Sequence, residues 1–169
     1  RMRPRSLDEV VGQDTLLGPG AGLRALVDAD ELPSLILWGP PGCGKTTVAR
    51  LLSKSSDMRF EQLSAVMAGV KEIRAKIENA RRGRALHRRT LLFLDEIHRL
   101  NRTQQDSLLP HVEAGDVTLV GATTENPSFQ VIAPLLSCCR VFTLARLDDS
   151  SLISLLRRAA LDEERGLGN

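Results

Sequence analysis

The chain has 169 residues, 23 Lys and Arg against 21 Asp and Glu, a net charge of +2 and three Cys. At 42% hydrophobic and 26% charged it is an ordinary globular chain, which excludes a disordered one, and no aliphatic or aromatic run is long enough to span a membrane. Three Cys without a disulfide framework point to a reducing, cytoplasmic (nucleoid or nuclear) setting, and one Trp, four Phe and no Tyr exclude a row of aromatics on which single-stranded bases could stack.

Short apolar runs alternate with stretches of helical period. Arg1 to Ser6 is basic but lacks the apolar stretch of a signal peptide. Leu35–Trp38 reads as a buried strand, followed by glycines and prolines and then a helix carrying Val48, Ala49, Leu51 and Leu52 on one face. Phe60–Leu63 is a weaker strand, Val70, Ile73, Ile77 and Ala80 share a helix face, and Leu91–Leu94 is a second fully apolar strand. Asn101 and Gln104 form a capping-box pattern opening a helix that stops near Gly115, with Pro110 expected to kink it or end it early. Val117–Ala122 and Val141–Leu144 complete the strands, and a last helix places Leu152, Ile153, Leu155, Leu156, Ala159 and Ala160 on an apolar face. Fully apolar strands separated by helices predict an α/β fold, a parallel five-stranded sheet covered on both faces in a three-layer core.

Gly39-Pro40-Pro41-Gly42-Cys43-Gly44-Lys45-Thr46 matches the phosphate-loop pattern between a strand and a helix. Glycines let backbone N–H groups wrap phosphates at the helix N-terminus, Lys45 reaches the β- and γ-phosphates, and the Thr46 hydroxyl ligates Mg²⁺. Asp95 and Glu96 follow the Leu91–Leu94 strand at the end where ligands of parallel sheets sit. Asp95 suits Mg²⁺ through water, and Glu96 suits activation of a water for attack on the γ-phosphate. Thr123, at the end of the next strand, either faces that water or belongs to a turn closed by Asn126-Pro127. Cys43 is a filler inside the loop. His98 is either an orderer of the acidic turn or an ordinary hydrogen-bonded histidine, and His111 carries no assignment.

Arg3 to Gln13 resembles the N-terminal box of AAA+ ATPases, with Met2 where clamp-loader relatives carry Tyr; Gly39–Thr46 resembles their Walker A and Leu91–Glu96 their Walker B. Four further stretches are similar to the RarA/MgsA group, relatives of the Werner-helicase-interacting ATPase. These are Leu63–Val66 with Gly69–Arg74, Asp95–Arg99, Gln104–Asp106 and Gly121–Phe129. The resemblance implies a P-loop NTPase core, residues 1–147, and the start of a truncated helical lid, 148–169. It implies ATP and Mg²⁺ bound at subunit interfaces of a homo-oligomer, Val10, Val11 and Gly12 near the adenine, Thr47 completing the phosphate site, Ser64 near Glu96, and Thr123 at the sensor 1 position. It further implies action on DNA at stalled or gapped forks, with single-strand-binding protein or other replication factors as partners. Where the family carries an arginine finger this chain has Cys138; Arg140, two residues on, would alternate to the same strand face and replace the finger in part.

Between Lys71 and Thr90 eight cations face two acids, a local net charge of +6. Arg81, Arg82, Arg84, Arg88 and Arg89 suit phosphate-backbone contacts with DNA, or complement a helix dipole as solvated cations. The expected function is therefore a DNA-dependent ATPase. The alternatives are a nucleotide-gated binding module that hydrolyses little because Cys138 replaces the finger, and a clamp-loader-like or branch-migration subunit.

Overall fold

Alternating side chains explain how the sheet is covered. In β1 (Leu35–Trp38), Leu35 and Leu37 enter one apolar cluster and Ile36 the other, and Leu91 and Phe93 against Leu92 and Leu94 do the same in β3 (Thr90–Asp95). With β2 (Arg59–Ser64), β4 (Thr118–Thr123) and β5 (Arg140–Thr143) these form the expected five-stranded sheet, all pairings parallel, in the order β2-β3-β4-β1-β5. The computed structural model describes residues 2–168.

Helices α1 (Asp14–Leu17), α2 (Gly22–Asp28) and α3 (Lys45–Ser55) precede β2, and α4 (Val70–Ala85) lies between β2 and β3. Next come α5 (Arg102–Glu113), α6 (Pro127–Gln130), α7 (Ala133–Ser137) and α8 (Asp149–Leu161). The central strands bury both faces, as an apolar parallel strand must. The outer strands keep polar or charged groups: Glu61 of β2 is pulled below the usual carboxylate range, its burial outweighed by Lys76 at 2.6 Å and Arg59 at 2.7 Å.

Helix α5 does not end early at its proline, and α8 keeps its apolar face open. Helix α5 runs through Pro110 to Glu113. Pro110 and Asp106, whose carbonyl the proline leaves without a helical donor, both face solvent, while Leu108 and Val112 anchor the inner face. The apolar face of α8 is not buried among the described residues: Leu152, Ile153, Leu156 and Leu161 are exposed. What docks α8 is polar, since Asp148 caps it through Ser151 N–H at 2.8 Å and Arg158 Nη1 donates to Glu9 O at 2.8 Å. No described helix is long and apolar enough to cross a membrane.

Candidate active site

The carboxyl ends of β1, β3 and β4 meet at one level, with Trp38 beside Thr123 and Leu94 beside Gly121. They open into a cleft of about 420 Å³ lined by Gly42, Gly44, Lys45, Thr46 and Thr47 on one side and Asp95, Glu96, Thr123 and Thr124 on the other. The phosphate loop enters through Gly39, whose N–H donates to Thr123 O at 3.1 Å. A Cβ on Gly39 would lie 2.8 Å from Leu144 O and 2.9 Å from Cys43 Sγ, so close packing requires the glycine. At Gly42 and Gly44 the reason is torsional: φ is +76° and +98° and no protein atom lies within 4 Å of an added Cβ. Gly44 is the N-cap of α3 and provides no side-chain cap, so the first N–H groups of α3 remain available to an anion.

Lys45 Nζ donates to Gly39 O at 2.7 Å and Pro40 O at 2.8 Å, which pins the ammonium across the loop, and its third contact is to a thiol sulfur, a weak acceptor that a phosphate oxygen can displace. Pro41 lines the cleft mouth, and Cys43 is buried beneath it with Sγ 3.8 Å from Lys45 Nζ. Asp95 and Glu96 make no side-chain hydrogen bond to another described residue. Ser64, as the resemblance implied, stands beside this pair, in register with Asp95. The Thr46 hydroxyl and the Asp95 carboxylate supply the hard oxygen donors that Mg²⁺ prefers, and both line the cleft. Among the described residues no cluster of three or more His, Cys, Asp or Glu could hold a metal by itself.

Glu96 has left-handed backbone, φ +55° and ψ +48°, the conformation that breaks β3 and turns the chain into a short 3₁₀ turn, Ile97–Arg99. For a residue with a Cβ this costs about 1–2 kcal/mol. The turn is seated on β4 by Ile97, fully buried against Gly121, and by His98, whose Nδ1 is 2.9 Å from Thr123 Oγ1. Thr123 is fully buried, and its hydroxyl is also engaged with Glu125, accepting from N–H at 3.0 Å and donating to O at 3.1 Å. The hydroxyl expected to face the attacking water thus faces His98 and Glu125. Thr124, which sequence reasoning passed over, is the exposed threonine on the cleft.

Val10 packs on the core, Val11 is half-buried, and Gly12 (φ +83°) lies against Leu147 and Ser151 of the α8 region. Leu147 also lines a smaller cleft of about 160 Å³ behind the phosphate loop, with Pro41, Cys43, Arg146 and Leu152. Gln13 joins these parts. Its buried amide donates to Ala145 O at 2.8 Å and Cys43 O at 3.4 Å and accepts from Ala145 N–H at 3.0 Å. Gln13 stood in the Arg3 to Gln13 stretch, but nothing there showed its bridging role, because a lone buried amide has no periodicity. Gln105, within the Gln104–Asp106 stretch, carried no hint of its contacts either: it bridges Leu100 O, Gln130 O and Ile132 N–H, tying α6 and α7 to the acidic turn. Gln104 completes the predicted capping box with Asn101.

Cys138 is not in a strand. It is the αR C-cap of α7, with Sγ directed at Pro134 O, 3.3 Å away, so strand alternation does not relate it to Arg140. Arg140 opens β5, exposed and without a side-chain partner among the described residues. Burial, with Cys138 adjacent, pushes the Cys139 thiol up to about 12, so it stays protonated.

The basic segment is at the opposite end of the sheet from the cleft, where Arg59 N–H donates to Arg89 O at the strand starts. Arg84 bonds Asp116 at 2.9 Å and Ala114 O at 2.7 Å, Arg81 approaches Asp116 and Glu78, and Arg89 pairs with Asp30 at 3.1 Å and with Ser56 O. Glu61, Asp116 and Asp30 come from outside the segment, so its net +6 falls to +3 in the folded protein. Arg82, 3.7 Å from Glu78, and Arg88, with no partner among the described residues, instead line a cleft of about 280 Å³ with Arg59.

A glycine loop joining a central strand to an uncapped helix, opposite an acidic pair at the end of the strand two places away, defines a P-loop nucleoside triphosphatase core. The family model "ATPase family associated with various cellular activities (AAA)" matches residues 35–147, and the chain belongs to that family. It is 55% identical over 99% of its length to an AAA domain-containing protein of Mycobacterium tuberculosis, and 51% identical over 99% to replication-associated recombination protein A of Coxiella burnetii. The chain spans 37% and 38% of those two proteins. Among solved structures, the Thermotoga maritima RuvB Holliday junction branch migration motor superposes with a TM-score of 0.78 at 32% identity, covering 94% of this chain and 54% of that one.

Proposed function

We propose that this chain is the ATP-binding and ATP-hydrolysing core of a protein that acts on DNA in replication-associated recombination. The observation that carries the ATPase reading is the cleft itself, where Lys45 and the open start of α3 face Asp95 and Glu96. The N–H groups after Gly42 and the Lys45 ammonium bind and orient the phosphates, and Thr46 and Asp95 hold Mg²⁺, which when bound neutralises charge on the transferring phosphoryl group. Glu96, whose carboxylate has no hydrogen-bond partner among the described residues, takes a proton from the attacking water. Thr123 holds the strand-end loop through Glu125, leaving Thr124 to meet the phosphate or the water. The smaller cleft lined by Pro41, Cys43, Leu147 and Leu152 suits the adenine, with Gly12, next in sequence to Val10 and Val11, packed on Leu147.

Action on DNA rests on the name of the Coxiella relative and on the RuvB likeness, with contact to the phosphate backbone. The ion pairs support Arg82 and Arg88 as contacts and leave Arg81, Arg84 and Arg89 to structural roles. A second reading, a nucleotide-gated module with little turnover, is favoured by Cys138, whose side chain carries no positive charge to offer a neighbouring subunit. Equilibrium binding of an ATP analogue tests the first step: Lys45→Ala should lose affinity by at least tenfold, and unchanged affinity overturns the site. Salt titration of DNA binding tests the second: Arg82→Ala with Arg88→Ala should shallow the log–log slope by about two, whereas the Arg81 and Arg84 variants should leave the slope unchanged.

A further inference from the structure

Two consecutive residues of the acidic turn land on one face of β4. Ile97 packs at Gly121, and His98 bonds Thr123 two residues further along the strand. The proton count at Thr123 fixes the chemistry of the second contact. A hydroxyl has one proton and two lone pairs. Glu125 N–H occupies one lone pair, and Glu125 O is placed to receive the proton. The remaining lone pair is then satisfied only if His98 donates from Nδ1. The reverse choice, with the hydroxyl donating to Nδ1, would give up the bond to Glu125 O, so only the Nδ1–H tautomer keeps all three contacts at the fully buried Thr123 hydroxyl.

We propose that His98 is a positioning residue for Glu96: its Nδ1–H tautomer, selected by Thr123, clamps the left-handed turn that aims the Glu96 carboxylate into the cleft. The turn's other ties among the described residues leave the His98 position itself unheld: Arg99 N–H to Glu96 O at 2.9 Å, Leu100 N–H to Ile97 O at 3.1 Å, the packing of Ile97, and Gln105 on Leu100 O at its far end. An amide at position 98 can donate from nearly the place of Nδ1 if it is Asn, but not if it is Gln, whose amide sits one carbon further out. The proposal rests on the ATPase reading, and the test separates the two.

Ring-nitrogen NMR of the nucleotide-free chain reads the tautomer directly: the wild type should show His98 protonated at Nδ1, and Thr123→Val should abolish that preference. In single-turnover hydrolysis, His98→Ala should lower the rate roughly 10–100-fold with nucleotide affinity held within about twofold. His98→Asn should recover most of the loss and His98→Gln little of it. The His98→Ala/Thr123→Val double variant should be no slower than the slower single, because both remove one contact. An Nδ1-bare ring in the wild type, an unimpaired His98→Ala, strictly additive losses, or a fall in affinity equal to the fall in rate would each overturn the proposal. If wild type hydrolyses no faster than Glu96→Gln, the ATPase reading fails, and the ring-nitrogen measurement alone still decides the clamp.

Discussion

Gly121 gives the sharpest link between packing and chemistry. A Cβ at that position would lie 2.8 Å from Ile97 Cδ1, 3.2 Å from Ile97 Cγ2 and 2.9 Å from Ile36 Cδ1. Ile97 and Ile36 are both fully buried, so neither can swing aside into solvent. Gly121→Ala must therefore displace Ile97 by close to an ångström, and overpacking of this kind costs about 1–3 kcal/mol. For a chain of this length that is a fall in Tm of roughly 2–4 °C per kcal/mol. Because Ile97 follows Glu96, hydrolysis should fall by more than the stability loss explains, roughly tenfold even where the variant is fully folded. Thermal unfolding and single-turnover phosphate release measure the two effects. Ile97→Val removes the Cδ1 that the new methyl strikes, so Gly121→Ala/Ile97→Val should regain part of both. A Gly121→Ala variant as stable and as active as wild type, or one that Ile97→Val makes worse, would refute the packing argument.

Three further outcomes follow from other contacts. Gln13→Leu leaves Ala145 N–H and O and Cys43 O without their partner and should cost about 2–4 kcal/mol by urea unfolding; a loss under about 0.5 kcal/mol would show that the amide does not join these segments. Asp116 is held below its ordinary range first by the hydrogen bond from His111, then by Arg84 and Arg81, with burial opposing. Its stabilising contribution is complete above the unfolded carboxyl pKa and is lost as pH falls through the lower folded value. Asp116→Asn should accordingly flatten the stability–pH profile in the acid range below about pH 4 and destabilise at neutral pH; an unchanged acid slope would contradict this. Cys138→Arg should raise turnover in an oligomer and leave the monomer unchanged, and equal rates in the oligomer would remove the finger explanation.

The sheet was legible because its signals are local. Leu35–Trp38 and Leu91–Leu94 are apolar at every position, as strands buried on two faces require, and the glycine spacing from Gly39 to Gly44 carries its torsions with it. The acidic pair was legible from its place after such a strand. What escaped were side chains acting across distance. Gln13 meets Ala145 through a long separation in sequence, and Gln105 meets Ile132. The orientation of Thr123 depended on His98 and Glu125, not on strand alternation alone. Arg81 to Arg89 looked like a free basic run because Asp30, Glu61 and Asp116 are distant in sequence and adjacent in space. Helices α1 and α2 were missed because Gly18-Pro19-Gly20 breaks their pattern into pieces too short to show a period.

The central claim is that Glu96 activates water for hydrolysis of a nucleotide held by the phosphate loop. The direct measurement is single-turnover phosphate release from ATP by wild type and Glu96→Gln, with nucleotide affinity measured in parallel. Glu96→Gln should bind ATP as tightly as wild type and release phosphate at least about a hundredfold more slowly. Equal rates at equal affinity would contradict the account.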